Sequence, residues 1–273
     1  MGKEPRIRPV GGGGERPQVA LKVEPKAQEK GGRAEGAGRS SGRLSTCILG
    51  LDERMAGGIP KGFVTLVAGP VGSMKSSLCF AIAQRASNEG AKALYLTLEQ
   101  DSKSLLAHME ALGLGAEGGQ GPKVVDFSGV RDDIAKAAEG GGLHEALGAL
   151  LERYKKEQGC DVVVLDSLDA LLSVAETASP RKDLFHLFRR LKGLGSTVLL
   201  ISEMEHGASR FGRTGVEEFL SDGIIHLRTR ELETPGLTSV RRYVGIVKMR
   251  QTAHDTDYHP FLFTKDGFEL VLD

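Results

Sequence analysis

A short apolar run followed by a loop of small residues constrains this chain of 273 residues more than any other feature. The run from Phe63 to Ala68 is typical of a buried strand, and the run from Ser76 to Arg85 is typical of a helix. The loop between them matches the phosphate-binding pattern G-x-x-x-x-G-K-S/T except at Met74, where that pattern has glycine. The segment therefore predicts a loop that binds ATP or GTP.

Each residue of the predicted loop has an expected role. Successive backbone N–H groups and the N-terminus of the following helix would surround the phosphates. Lys75 would neutralise the β- and γ-phosphates, and the Ser76 hydroxyl would bind Mg²⁺. The predicted nucleotide-binding residues of the loop are Gly72, Ser73, Met74, Lys75, Ser76 and Ser77.

Met74 adds a Cβ atom and a long side chain at a point where the backbone would approach phosphate. A helical φ would let methionine fit as the first turn of the helix, whereas a positive φ would be costly. We expect the helical φ, with the side chain turned away from the nucleotide.

Strand-like and helix-like segments alternate from Ser45 to about residue 222, and such repeats build a parallel sheet covered by helices. Beyond that point 223–229, 240–250 and 260–272 are typical of strands in hairpins. The predicted fold class is α/β, a mostly parallel sheet flanked by helices with C-terminal antiparallel hairpins. The remaining predicted strands are 92–98, 123–127, 161–166 and 196–201, and the predicted helices are 101–114, 132–138, 143–154 and one that opens at Ser179-Pro180.

The first 43 residues differ in composition from the rest. They contain 10 Gly and 4 Pro, carry a net charge of +5 and have no aromatic residue. Such a segment cannot bury enough apolar surface to offset its ordering entropy, so residues 1–43 are predicted to be a disordered basic tail before one domain at 44–273. That domain has a net charge of −5, which argues against broad coating of nucleic acid.

The remaining composition is consistent with a cytoplasmic protein. The three cysteines are scattered without the C-x-x-C spacing of zinc sites, and no framework of disulfides is indicated. No apolar run approaches the roughly 18 residues that a membrane span requires, and no signal-peptide pattern begins the chain. We therefore expect no membrane partner.

Two carboxylates end predicted strands that follow the loop. Asp166 ends the strand 161–166 and is predicted to hold Mg²⁺ beside Ser76. Glu99 follows the strand 92–98 and is predicted to be the catalytic base, although a carboxylate there also suits the cap of the next helix. Ser202 and Glu203 end a further strand and are candidates for a polar sensor of the nucleotide.

At these residues the chain resembles the KaiC-type domains of the RecA-like ATPases. The resemblance covers roughly residues 44–273, with one domain where KaiC has two in tandem. The motifs that carry it are Gly57-Gly58-Ile59-Pro60-Lys61-Gly62, Thr97-Leu98-Glu99-Gln100, Leu165-Asp166-Ser167-Leu168, 215–223, Arg241-Arg242, 248–254 and His259-Pro260-Phe261.

The resemblance implies a RecA-like fold and a homo-hexameric ring with ATP and Mg²⁺ between neighbouring subunits. Lys248 and Arg250 would reach across to the γ-phosphate of the adjacent subunit and act with Lys75 and Glu99 in catalysis. The positions of Met249, Thr252 and His254 would line the nucleotide. Without the resemblance, Lys248 and Arg250 would be an exposed charged face of a strand.

The chain departs from the family pattern at two further positions. Gln100 stands where many members have a second glutamate, which leaves Glu99 as the sole carboxylate and lowers the expectation of autokinase activity. Gln251 stands where the Lys-x-Arg motif is followed by glycine, and we expect a different bend after the strand.

The function predicted from these residues is a slow, Mg²⁺-dependent ATPase with a regulatory role and a protein client. One alternative is a DNA-handling ATPase like RecA or RadA, in which Arg210 and Arg213 of the loop 207–215 would contact a DNA strand. This alternative is not favoured, because the chain lacks a helix–hairpin–helix module. Another is a nucleotide-dependent scaffold that does not hydrolyse ATP, suggested by Met74 and Gln100.

Overall fold

Six neighbouring parallel strands form one side of a ten-stranded sheet in the part of the chain that the structure describes. The structure is a computed structural model, and it describes residues 42–116, 120–127, 143–174, 179–234 and 236–271. The predicted tail up to residue 41 and the predicted helix 132–138 lie outside the described residues. The strands are β1 (Arg43–Leu44), β2 (Ile48–Leu49), β3 (Ile59–Pro60), β4 (Val64–Gly69), β5 (Ala93–Thr97), β6 (Lys123–Asp126), β7 (Val162–Asp166), β8 (Thr197–Glu203), β9 (Gly223–Thr234), β10 (Leu237–Met249), β11 (Tyr258–Thr264) and β12 (Gly267–Leu270).

The strand order across the large sheet is β2-β12-β11-β10-β9-β4-β8-β7-β5-β6. The strands from β9 to β6 are parallel, whereas β9 to β12 pair in antiparallel hairpins. The small strands β1 and β3 pair separately. The predicted α/β class with C-terminal hairpins is confirmed.

The helices cover both faces of the parallel strands. Every residue of β4, β5 and β7 is buried, as expected of parallel strands between two helical layers. Helices α1 and α2 contribute to the core on one face, and α3, α4 and α5 contribute to the core on the other. The helices are α1 (Lys75–Asn88), α2 (Ser102–Ala111), α3 (Leu143–Gln158), α4 (Leu168–Val174), α5 (Pro180–Gly193) and α6 (Glu217–Leu220), with a 3-10 turn at Asp52–Met55.

Several elements differ from the sequence prediction. The segment 260–272 is divided into β11 and β12 at the turn Lys265-Asp266-Gly267, which the sequence predicts, whereas the short helices α4 and α6 were not predicted. Arg43, the last residue of the predicted tail, pairs with Pro60 in the small sheet. Its guanidinium donates to the carbonyl oxygens of Met55 at 3.2 Å and Gly58 at 2.7 Å, so the folded region begins at or before this residue.

The parallel arrangement gives the sheet two chemically different edges. The carboxyl ends of β4, β5, β7 and β8 meet at one edge, which is where ligands bind in open α/β sheets. The C-terminal end of β10 lies at the opposite edge, since β10 runs antiparallel to β9. Among the described residues, no helix combines the length and the apolar character that crossing a membrane requires.

The buried face of α5 gives a direct test of the packing. Leu187 is 1% exposed and lies in the core beneath α5, whereas Phe185 on the same helix is 53% exposed. We expect Leu187→Ala to lower the free energy of unfolding by about 2–5 kcal/mol, because it leaves a cavity. Phe185→Ala should cost less than about 1 kcal/mol. Urea unfolding followed by circular dichroism measures both, and equal losses would contradict this packing.

Candidate nucleotide-binding site

The predicted phosphate loop lies between the carboxyl end of β4 and the start of α1. Gly72 has a φ of 79°, which glycine adopts freely, and no atom lies within 4 Å of where its Cβ would be. At Gly69, in contrast, a Cβ atom would lie 2.4 Å from the Leu227 carbonyl oxygen. Glycine therefore lets β4 pack closely on β9, and the open side of Gly72 leaves backbone accessible to phosphate.

Met74 does not have the conformation that we expected. Its φ is 72° and its ψ is 28°, so it lies in the left-handed region rather than in the first turn of the helix. The side chain is partly buried and packs against the core beneath α1. Met74 therefore keeps the backbone conformation of the glycine that it replaces, and its packing offsets part of the strain.

Lys75 is the first residue of α1 and is only 7% exposed. Its Nζ atom donates to the Pro70 carbonyl oxygen at 3.0 Å. Burial lowers the pKa of Lys75, and the negative charges of Glu203, Asp166, Glu99 and Asp169 oppose that shift. A buried ammonium at the start of a helix, within an arc of glycine-rich backbone, is suited to bind phosphate.

Asp166 ends β7 and lies close to Ser76, as predicted. The Tyr95 hydroxyl donates to Asp166 Oδ2 at 2.5 Å, and the Ser76 hydroxyl donates to the same carboxylate. Burial raises the pKa of Asp166, and these two hydrogen bonds oppose the shift. A hydroxyl and a carboxylate oxygen are ligands that Mg²⁺ accepts, so this pair fits the predicted metal site.

Glu99 follows β5 at the same edge of the sheet. The Ser167 hydroxyl donates to Glu99 Oε1, so the carboxylate is held beside the residue that follows Asp166. A capping role for Glu99 does not apply, because the cap of α2 is Asp101, whose side chain accepts from the backbone N–H groups of Lys103 and Ser104. Glu99 is exposed and available to water at this edge.

The structure brings further residues to the site, of which the sequence analysis had named only Glu203, as a candidate polar sensor. Asp169 Oδ2 accepts from the Glu203 backbone N–H at 2.7 Å, and burial raises the pKa of Asp169. Glu203 lies opposite Gly69 in the register of β4 and β8. Tyr95 and Ser167 each hold a predicted site carboxylate. Only the strand-terminal position of Glu203 was visible in the sequence.

Lys248 and Arg250 lie at the other edge of the sheet. The Lys248 Nζ atom donates to the carbonyl oxygens of Glu218 and Ser221, at 2.8 and 2.7 Å. Arg250 is 49% exposed and pairs with Asp222 at 2.9 Å. The structure therefore separates this pair from the phosphate loop of the same chain.

The other predicted nucleotide contacts lie near that second edge. Thr252 Oγ1 accepts from Arg43 at 3.2 Å, and the Thr252 carbonyl oxygen lies 3.0 Å from His254 Nδ1. The Met249 side chain is buried beneath the sheet beside Gly223. The predicted contact between Met249 and nucleotide would therefore involve its backbone rather than its side chain.

The sequence model of the family described as "ATPase: KaiC" matches residues 44–272. The chain belongs to the KaiC ATPase family. That match covers both edges of the sheet, from β1 to the last C-terminal strand.

Individual KaiC relatives and a solved structure are similar to this chain over most of its length. It is 30% identical to circadian clock protein KaiC3 from Synechocystis over 84% of the chain, and it spans 45% of that relative. It is 30% identical to a UPF0273 protein from Thermotoga maritima over 84% of the chain and 95% of the relative. The crystal structure of a KaiC-like protein from Pyrococcus horikoshii has a TM-score of 0.70 and 25% identity, and covers 84% of this chain and 99% of its own. The chain thus spans about half the length of the KaiC relative and nearly the full length of the UPF0273 relative.

Both glycine replacements in the KaiC pattern keep a glycine-like backbone. Gln251 has a φ of 54°, in the same region as Met74. A glycine at position 251 would adopt this left-handed conformation without strain, and a bend different from that of the family stays a prediction. The cost is strain of roughly 1 kcal/mol at each residue.

The conformation of Met74 can be tested by two truncations that remove the same packing. Glycine accepts a positive φ without strain, whereas alanine does not. We expect Met74→Gly to be more stable than Met74→Ala by about 1 kcal/mol, measured by urea unfolding. A helical φ would reverse the order, since alanine is then the better residue.

Burial of Asp166 predicts a conflict between stability and binding. Its pKa in the folded protein is raised above the ordinary value of 3.8. As the pH rises from 3.8 to this raised pKa, the unfolded chain loses the proton that the folded protein keeps, so the free energy of unfolding falls. Asp166→Asn removes the buried charge and keeps an oxygen for the Tyr95 hydroxyl. We expect greater resistance to urea than in the parent near neutral pH, with the difference shrinking under acid conditions, and weaker binding of Mg²⁺-nucleotide. An advantage that grew under acid conditions would contradict the assignment.

Proposed function

We propose that this protein is a Mg²⁺-dependent ATPase whose active site forms between two copies of the chain in a ring of six. The observation that carries the proposal is the placement of two half-sites at opposite edges of one sheet. One half is the phosphate loop with Ser76, Asp166 and Glu99. The other half is the Lys248 and Arg250 pair.

Distance supports sharing between copies. The backbone N–H of Arg250 donates to the Asp222 carbonyl oxygen, and the backbone N–H of Asp222 donates to the Val64 carbonyl oxygen. The second half-site therefore lies at the start of β4, and the phosphate loop follows its end. Six residues at about 3.3 Å each separate the two by roughly 20 Å. No side chain spans that distance, which supports a role for the pair at the nucleotide of another subunit rather than at its own chain's loop.

The chemistry of each half suits phosphoryl transfer. The loop backbone and Lys75 would bind the β- and γ-phosphates, and Ser76 with Asp166 would hold Mg²⁺. Bound Mg²⁺ would neutralise charge on the phosphate oxygens. Glu99 would orient the attacking water, and an arginine and a lysine from a neighbour would stabilise charge that develops in the transition state.

A surface pocket beside the loop suits the nucleobase. The Arg242 Nε atom donates to the Gly72 carbonyl oxygen at 3.1 Å, which joins this pocket to the phosphate loop. Its lining consists of apolar residues and two arginines, and a guanidinium group can stack on an aromatic ring. The lining residues are Val240, Arg241, Arg242, Pro260, Phe261, Leu262 and Val271.

The proposed turnover is slow, and the proposed role is regulatory. Glu99 is the carboxylate proposed to activate water, and Gln100 stands next to it in place of a second glutamate. The Ser167 hydroxyl donates to Glu99 and restrains its side chain. A single restrained carboxylate favours long-lived ATP-bound states. We propose that these states control contacts with a protein client in the cytoplasm.

Subunit mixing tests the shared site. Lys75→Ala removes the loop cation and leaves the Lys248 and Arg250 pair intact, whereas Arg250→Ala does the reverse. We expect each variant alone to hydrolyse ATP at least about 100-fold more slowly. In an equimolar mixture about one quarter of the interfaces would combine an intact loop with an intact Arg250, so activity should return to about that fraction.

The control mixes Lys75→Ala with a chain that carries both substitutions, which creates no complete site and should stay inactive. An inactive mixture of the two single variants would overturn the shared site. Light scattering with and without ATP and Mg²⁺ gives an independent check, since a monomer under both conditions would also contradict the proposal.

A further inference from the structure

Asp222 lies at the centre of the second half-site. It precedes β9, and its side chain is 13% exposed. The Oδ1 atom accepts from Lys192 Nζ at 2.7 Å and from Arg250 Nη1 at 2.9 Å, while Oδ2 accepts from the Val64 backbone N–H at 3.2 Å. One carboxylate thus joins α5, the end of β10 and the start of β4.

Two cations, Lys192 and Arg250, contact this carboxylate, and its charge also acts on Lys248. Burial lowers the pKa of Lys248, the charges of Arg250 and Lys192 lower it further, and the charges of Asp222 and Glu218 raise it. Lys192, Lys248 and Arg250 would repel one another without a negative charge among them. Asp222 therefore keeps the cations together in a compact cluster with net positive charge.

The backbone restrains the same residues. The Arg250 backbone N–H donates to the Asp222 carbonyl oxygen at 2.9 Å. The register of β9 and β10 shifts between Ile246 and Lys248, and such a bulge redirects the side chains that follow it. Lys248 is then fixed on two carbonyl oxygens at the end of α6. Arg250 depends more on Asp222, because its other side-chain contact is the Phe219 carbonyl oxygen at 3.3 Å.

We propose that Asp222 is the positioning residue that presents Arg250, and with it Lys248, to the ATP of a neighbouring subunit. This inference rests on the proposed function. Asp222 does not itself contact nucleotide; it sets the direction and charge balance of the groups that do. Its two hydrogen bonds with Val64 also attach Asp222 to the start of β4, the strand that leads to the chain's own phosphate loop.

Asp222→Asn tests the role with little change of shape. We expect kcat for ATP hydrolysis to fall about 10- to 100-fold, because a displaced cation stabilises the transition state less. The KM for ATP and the binding of a fluorescent ATP analogue should stay within about twofold, since the phosphate loop is intact. The matched control is Glu152→Gln, which removes a carboxylate from its pair with Arg190 between α3 and α5, does not touch Asp222, Lys248 or Arg250, and should retain parental activity.

Mixing assigns the defect to one half-site. Asp222→Asn mixed with Lys75→Ala should regain activity, because complete sites form between the intact loop of the first and the intact Arg250 and Asp222 of the second. Asp222→Asn mixed with Arg250→Ala should regain none. The opposite pattern, or a parental kcat for Asp222→Asn, would overturn the inference.

A purely structural role is separated by a second substitution. If Asp222 served only to neutralise Lys192, adding Lys192→Met to Asp222→Asn would restore both stability and kcat. The positioning role predicts that stability recovers while kcat stays low. Failure of the proposed function looks different, because Arg250→Ala would then hydrolyse ATP at the parental rate.

Discussion

Burial of Lys75 and Asp166 at the same edge of the sheet is the constraint on which the site depends. A charged group removed from water needs polar or oppositely charged partners. Lys75 bonds to the Pro70 carbonyl oxygen, Asp166 accepts from the Tyr95 hydroxyl, and the opposite charges of Lys75 and Asp166 attract each other. Phosphate and Mg²⁺ would supply the strongest opposite charges that each group can meet. Packing of the parallel strands therefore buries two opposite charges that a bound metal–nucleotide complex would compensate.

The same packing explains which parts of the site were predictable from the sequence. The phosphate loop and Asp166 were predictable because local patterns, a glycine-rich loop after a strand and a carboxylate at a strand end, determine them. Tyr95 and Asp169 were not, because they reach the site only through the spatial order β4-β8-β7-β5, which a single sequence does not reveal. The short helix α4 was missed because seven residues show too little periodicity.

Met74 shows how far tertiary structure can override a local preference. Side-chain identity favoured a helical φ, but the loop must turn sharply between β4 and α1, and the chain accepts the left-handed conformation there. Gln251 repeats the compromise after β10. At both positions a non-glycine residue adopts a left-handed backbone conformation, and the strain is a small cost in stability.

The two half-sites also limit how such a chain can evolve or be altered. Because β4 separates them, the phosphate loop and the Arg250 cluster can each change without clashing with the other inside one molecule. In the proposed ring each would also be constrained by its counterpart on a neighbouring copy, and Asp222 would connect that constraint to the fold, because it bonds both Arg250 and Val64. A substitution at Asp222 would leave the loop geometry unchanged and alter stability and turnover, so the proposed role gives functional weight to a position that does not contact nucleotide.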